Sequence, residues 1–220
     1  MDLVTAIEQR RSVREFLDKE VDPEMVREII RLGTLAPTAC NRQGWRFIVV
    51  SDPEIRRKIS ERGGSKIIVK APAGILVLYN KFTINVEYPD NVESASACIQ
   101  NMLLAATSLG LGTCWINHLP PKACLRRIFA IPSRYDIVAY IALGYPGVVP
   151  RTVSRKCRSV DEILSYNRFE MQKEIETRQV NGLVMRLLLF CQKGPRFFRS
   201  VQHRIMRRLG MNDIFKVDHD

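Results

Sequence analysis

The chain has 220 residues, of which 46% are hydrophobic, and carries a formal net charge of +11 at pH 7. That length and apolar content allow one substantial core with room for an appendage, and they exclude a disordered chain. No stretch approaches the roughly 18 consecutive apolar residues of a membrane-spanning helix, and the acidic, weakly apolar start Met1-Asp2-Leu3-Val4 is not expected to act as a secretory signal.

Leu3 and Ile7 stand at helical spacing, and a second helical pattern runs from Val21 to Leu35. It opens at Asp22-Pro23-Glu24, where Asp22 can cap and Pro23 fits the first turn; Met25, Val26, Ile29, Ile30 and Leu32 form its apolar face. Arg46 to Val50 is rich in strand-forming residues and ends at Ser51-Asp52-Pro53, which starts a short helix reaching about Arg62. Ala73 to Tyr79 is apolar at every position in its middle and reads as a strand covered on both faces.

Val92 to Leu109 is the longest helix candidate, with Ile99, Met102, Leu103 and Ala106 on one face and Gly110-Leu111-Gly112 as its stop. Thr113 to Ile116 then reads as a strand and Pro121 to Phe129 as a short helix. Ile137 to Leu143 reads as another buried strand, closed by Gly144-Tyr145-Pro146. Strands alternate irregularly with helices, and two helices precede the first strand, so an α+β or three-layer α/β domain is expected. A charged helical pattern resumes from Asp161 to about Glu176.

Cys40, Cys98, Cys114, Cys124, Cys157 and Cys191 are scattered with no Cys-x-x-Cys pair, and His118, His203 and His219 show no metal-ligand spacing. Reduced thiols in a cytoplasmic protein are expected, and zinc or iron-sulfur ligation is not. The chain contains no glycine-rich dinucleotide fingerprint, no phosphate-binding P-loop and no Gly-x-Ser-x-Gly elbow.

Two polar clusters carry chemistry. Arg10-Arg11-Ser12-Val13-Arg14 offers three guanidinium groups and a hydroxyl, suited to forked, charge-assisted hydrogen bonds with phosphate. Pro37-Thr38-Ala39-Cys40-Asn41-Arg42-Gln43-Gly44-Trp45 carries an amide pair, Asn41 and Gln43, able to read the edge of a heterocycle. Together they point to a planar anionic ligand.

From about Leu3 to Ile163 the chain resembles the nitroreductase family of FMN-dependent oxidoreductases. Four motifs in order carry the resemblance: Arg10 to Arg14, Ala36-Pro37-Thr38 through Asn41, Gln43 and Trp45, the helix Ser96 to Leu109 running into Gly110-Leu111-Gly112-Thr113-Cys114-Trp115-Ile116, and Leu143-Gly144-Tyr145-Pro146 followed by Arg155, Lys156 and Arg158. The resemblance implies a three-layer α+β fold with a mostly antiparallel central sheet, assembled as an intertwined homodimer. FMN is the implied cofactor and NADH or NADPH the implied electron donor, with nitroaromatic, quinone or related electrophiles as substrates. Specialised flavin chemistry on the same fold, such as dehalogenation, ene reduction or flavin cleavage, is the alternative, as is a flavin-binding interaction protein.

Residue by residue, the resemblance implies that Arg10 and Ser12, with Arg155 or Arg158, hold the FMN phosphate. Arg14 and Asn41 would address the pyrimidine edge of the flavin, with Arg11 and Gln43 as further cofactor-binding candidates, while Pro37, Thr38 and Ala39 would come from the second subunit. Trp115, Ile116 and Asn117 would line the ring. Gly44 departs from the family, which has proline before the tryptophan, and the short segment Asn80 to Asn91 leaves no room for the lid helices of larger members.

Residues 1–167 are therefore expected to form the FMN-binding domain, with 168–220 as a basic, amphipathic helical extension. The extension holds eleven Lys/Arg against six Asp/Glu, and within 183–212 there are seven basic residues and no acidic one. Such a segment suits either an anionic membrane surface, which would make the protein membrane-peripheral, or an arm wrapped on the partner subunit; nucleic acid is not an expected partner.

Overall fold

Four strands form one sheet among the described residues, and their neighbours follow from which residues are apolar on both faces. The computed structural model describes residues 1–82, 87–147 and 157–169. Cα proximity divides the chain into Met1–Val153 and Ser154–Asp220. The first unit holds helices α1 (Leu3–Gln9), α2 (Pro23–Gly33), α3 (Pro53–Glu61), α4 (Ile67–Lys70), α5 (Asp90–Ser108) and α6 (Lys122–Phe129). Its strands are β1 (Trp45–Val50), β2 (Ala73–Asn80), β3 (Gly112–Ile116) and β4 (Tyr135–Gly144). The sheet order is β1-β2-β4-β3, antiparallel throughout.

β2 and β4 are central, and β2 is buried along almost its whole length. Its alternate residues feed two cores. Ile75, Val77 and Tyr79 join Ala139, Ile141 and Leu143 of β4 under α2 and α5, where Val26, Ile29, Ile99, Met102 and Leu103 pack. Leu76 and Leu78 join Tyr140 and Ala142 on the opposite face, beneath Ile59 of α3, Ile68 of α4 and Leu125 of α6. A register shift at Val77/Leu78 leaves Val138 without a partner on β2, which lets Ile137 and Ala139 face opposite cores despite their even spacing.

The expected elements are present with small boundary changes. The Asp22 carboxylate caps α2 by accepting the Glu24 N–H at 2.9 Å, and Asp52 caps α3 in the same way at 2.8 Å, each with proline in the first turn. Two departures are informative. Leu3 and Ile7 are exposed, and Ala6 is the buried residue of α1, so the apolar spacing there marks a solvent-facing stripe. The helix expected from Asp161 is a single 3-10 turn, Val160–Glu162, after which residues 163–169 are turns and bends. Of the 168–220 extension, all but Arg168 and Phe169 lie outside the described residues.

Candidate functional site

The arginine cluster leaves α1 in extended backbone and lies against the open edge of β3. Ser12 forms a parallel bridge with Thr113, and the Val13 N–H donates to the Thr113 carbonyl at 2.8 Å. Further along, Phe16 bridges Pro146, the Leu17 N–H donates to Tyr145 O at 2.9 Å, and the Gly147 N–H donates to Glu15 O at 3.0 Å. The arm is thus tied to both the start of β3 and the end of β4. Gly144 permits this approach, because a Cβ there would stand 2.5 Å from Pro72 Cδ and 3.0 Å from Phe16 Cδ1.

Arg11 and Arg14 have different employments. Arg11 donates from Nη1 to the carbonyls of Glu8 and Arg10, closing the C-terminal end of α1. Arg14 makes a long bond, 3.3 Å, to the Ser12 carbonyl and leaves its remaining donors on an exposed side chain. Its charge reaches β3: burial raises the Cys114 thiol above its ordinary pKa, and Arg14 opposes that rise. Glu15, the acid nearest in sequence, is ion-paired with Lys70, so its charge does not cancel the cluster's.

The second cluster forms a strained loop. A 3-10 turn spans Ala39–Asn41, and Cys40, Asn41 and Gln43 have φ of +50°, +52° and +48°. Three non-glycine residues in the left-handed region within four positions store strain that ordinary turns avoid. Thr38 braces the loop from within, its carbonyl accepting the Asn41 N–H at 3.0 Å and its Oγ1 the Gln43 N–H at 3.3 Å. Gln43 Nε2 donates to Asn41 Oδ1 at 2.9 Å, so the two amides are held side by side. Pro37, Cys40, Asn41 and Gln43 are exposed, while Trp45 is buried and packs edge-on to Tyr79.

At the far end of β3, the Trp115 indole donates to Asn117 Oδ1 at 3.0 Å, fixing both side chains. Ile116 turns inward to the core beneath α6, which leaves only its backbone for a ligand. Arg155 lies outside the described residues, and Arg158 is exposed within the second unit. The fold therefore brings Arg10 to Arg14 and Trp115 to Asn117 together on one strand, with Pro37 to Trp45 in the same unit.

Two contributors escaped the sequence reading. Ser94 of α5 accepts the Ala39 N–H, anchoring the strained loop. The Ser65 N–H donates to His118 O at 3.0 Å, which sets the Gly63-Gly64-Ser65-Lys66 turn, with its lysine, beside the end of β3. A paired glycine followed by a cation, between α3 and α4, was the available signal; it lacks the rest of a phosphate-loop pattern.

The nitroreductase sequence profile matches residues 7–79 and 60–145, covering both clusters and all four strands. The chain belongs to the nitroreductase family. It is thereby an enzyme of oxidoreductase type. A relative from Methanothermobacter thermautotrophicus, provisionally named NADH dehydrogenase/NAD(P)H nitroreductase, is 37% identical over 157 residues, which span 69% of this chain and 81% of that protein. The solved structure of a nitroreductase family protein from Clostridium difficile 630 is 27% identical with a TM-score of 0.68, over 77% of this chain and all of that one. An FMN-dependent nitroreductase from Clostridium difficile R20291 is 26% identical with a TM-score of 0.61, over 76% of this chain and 99% of that one. No helix among the described residues of this nitroreductase is long and apolar enough to cross a membrane.

Proposed function

We propose that this nitroreductase binds FMN and transfers reducing equivalents from NADH or NADPH to nitroaromatic, quinone or similar small electrophiles, with ping-pong kinetics. The observation that carries the reading is the bridge between Ser12 and Thr113, which lays a cationic arm along the strand that ends in Trp115-Ile116-Asn117. The donor set suits a flavin phosphate and ring: guanidinium groups and a serine hydroxyl at one end, paired amides and an indole at the other. When bound, FMN supplies the hydride and electron chemistry, so the protein needs no acid, base or nucleophile of its own.

The chain's residues then bind and orient. Arg10 and Ser12 hold the phosphate. Arg14 sets positive charge where the reduced ring is anionic, and Arg10 adds to it; preorganised charge of this kind is the protein's main contribution to rate. Asn41 and Gln43 address the ring edge, and Trp115 and Asn117 border it. Lys66, carried to the end of β3 by the Ser65 bond, adds a further cation at that border.

A homodimer completes the site, with Pro37, Thr38 and Ala39 reaching the flavin of the partner subunit. The exposed stripe Leu3, Val4 and Ile7 of α1, 66%, 63% and 47% exposed, supports this assembly, because apolar helix faces of that size are ordinarily covered. The five described cysteines are all free thiols, which suits the cytoplasm.

The visible spectrum of purified protein tests the reading. Flavin absorbance that NADH or NADPH bleaches anaerobically, with nitroaromatic or quinone restoring it, is the expected result. A colourless protein that FMN cannot reconstitute overturns it, and a monomer that binds FMN fully overturns the shared site.

A further inference from the structure

Buried polar side chains are few in the described residues: Arg56, Ser94 and Thr113. Ser94 is 5% exposed and lies on α5, far in sequence from either cluster. Its hydroxyl donates to the Asp90 carbonyl at 2.6 Å. It also accepts the Ala39 N–H at 3.2 Å, across 55 positions of sequence. A hydroxyl has one proton and two lone pairs. With the proton given to Asp90 O, a lone pair is left facing Ala39, and the half-buried amide of a loop finds its acceptor on the helix.

Ala39 stands at the entry of the strained loop, immediately before the left-handed residues Cys40 and Asn41. Each such residue is strained, and the conformation persists only when its surroundings hold it. The bonds from Asn41 and Gln43 to Thr38 and between the two amides are internal, so they would move with the loop. The exit is tied by the Asn80 N–H donating to Gly44 O at 2.9 Å. The entry is tied by Ser94. The next tie upstream is the buried Ala36, whose N–H donates to Gly33 O at 3.1 Å. Without Ser94 an internally braced turn keeps its shape but is held on its entry side only from three residues back, so Ser94 sets where Asn41 and Gln43 stand.

We propose that Ser94 is a positioning residue of the ligand site, seating the Pro37–Gly44 loop on α5 so that its amides are preorganised for FMN. The inference rests on the flavin reading of that loop. It assigns Ser94 no contact with ligand; its effect passes through the Ala39 amide and the left-handed turn.

The experiment compares the full-length Ser94→Cys, Ser94→Ala and Ser94→Thr variants with Ser108→Ala. Ser108 is also an α5 serine bonded to a helix carbonyl, at 2.8 Å from Ala105 O, and it has no bond to the loop. Cysteine keeps the volume but is a poor acceptor, so it remains readable if alanine fails to fold. Two quantities are measured: FMN affinity by flavin fluorescence, and hydrogen exchange of residues 38–43 in apoprotein. Ser94→Cys should weaken FMN binding about fivefold, the size of one hydrogen bond, and speed exchange of the Ala39 amide, with little change in melting temperature. Ser94→Thr should restore both quantities, and Ser108→Ala should move neither. FMN affinity within twofold of wild type in Ser94→Cys overturns the proposal, as does accelerated exchange spread evenly over the whole chain. Wild-type protein that takes up no flavin overturns the flavin reading and this inference with it, whereas normal wild-type uptake with unchanged uptake in Ser94→Cys overturns the inference alone.

Discussion

Gly112 and Val13 touch with no space between them: a Cβ built on Gly112 would lie 2.8 Å from Val13 Cγ2 and 2.9 Å from its Cβ. This contact lets the cationic arm lie close enough to β3 for the Val13 N–H to reach Thr113 O. Gly112→Ala is expected to cost about 1–3 kcal/mol of stability, as overpacking does, and to weaken FMN binding by displacing the arm. Combining it with Val13→Gly, which takes away the Cβ as well as both γ-carbons, removes the clash. Urea unfolding of the two single variants and the double variant checks this, and the double variant should recover much of the loss; simple addition of the two costs would refute the contact as the cause.

The arginines of the arm should separate by function. Arg14→Gln removes a charge with free donors on the exposed face and should weaken FMN binding by about tenfold or more, the range of a lost charge-assisted hydrogen bond. The effect should shrink as salt rises. Arg11→Gln removes side-chain bonds to the carbonyls of Glu8 and Arg10 and should lower stability by several tenths of a kcal/mol while leaving affinity within about threefold. Titration of FMN into apoprotein at low and high ionic strength distinguishes them; equal losses for both arginines would contradict the division.

Tyr140 carries a hydroxyl that is buried and finds no partner among the described residues. Tyr140→Phe removes that polar group without stranding a bonded neighbour, so stability should be unchanged or rise by up to about 1 kcal/mol. Gly74→Ala is the opposite case, since its Cβ would fall 2.0 Å from the same hydroxyl and 2.2 Å from Cζ of the ring. Thermal unfolding should show a near-neutral first variant and a severely destabilised second.

Alkaline conditions should loosen the fold through buried acids. Burial pushes the Cys98 thiol from its reference of 9.0 up to about 12 and raises Cys114 and Tyr140 as well, with Arg14 and Arg56 opposing the last two. These groups stay neutral in the folded chain while the unfolded chain ionises, so the unfolded state binds fewer protons and stability falls as pH rises past about 9. The contribution is fully present below that pH, and each group adds a slope of about 1.4 kcal/mol per pH unit between its two values. Urea unfolding at pH 8 and pH 10 measures the fall, which Tyr140→Phe should reduce. A flat profile would show that these groups titrate normally in the folded state.

Much of the fold was legible because its signals are local. Asp22-Pro23 and Asp52-Pro53 start helices by capping chemistry that needs only a neighbour two residues away, and both are where the sequence places them. The apolar run of β2 shows a central strand because burial on both faces leaves no polar alternation to read. Leu3 and Ile7 misled for the same reason: helical spacing identifies an apolar stripe, and spacing alone does not say whether the subunit's own core covers it.

The candidate site was legible as residue types. Arg10 to Arg14 and Pro37 to Trp45 have compositions that suit a phosphate and a heterocycle whatever their surroundings. Ser94 and the Ser65–His118 contact were not legible, because a serine inside an alanine-rich helix and a glycine pair in a loop carry no chemical signal until something folds against them.

The sequence by itself determined the element types, a mixed α and β class and the two polar clusters, since these follow from short-range periodicity, capping and residue chemistry, while the antiparallel sheet was implied by the family resemblance that its motifs carry. Only the tertiary structure decided that Ser12 and Thr113 pair, that Arg11 is spent on α1 while Arg14 faces β3, and that Ala39 hangs from Ser94. The Ser12–Thr113 and Ala39–Ser94 pairings join positions 101 and 55 apart. Hydrogen-bond partners at such separations are chosen by how strands and helices pack, and packing is a property of the whole core that no local stretch of sequence contains.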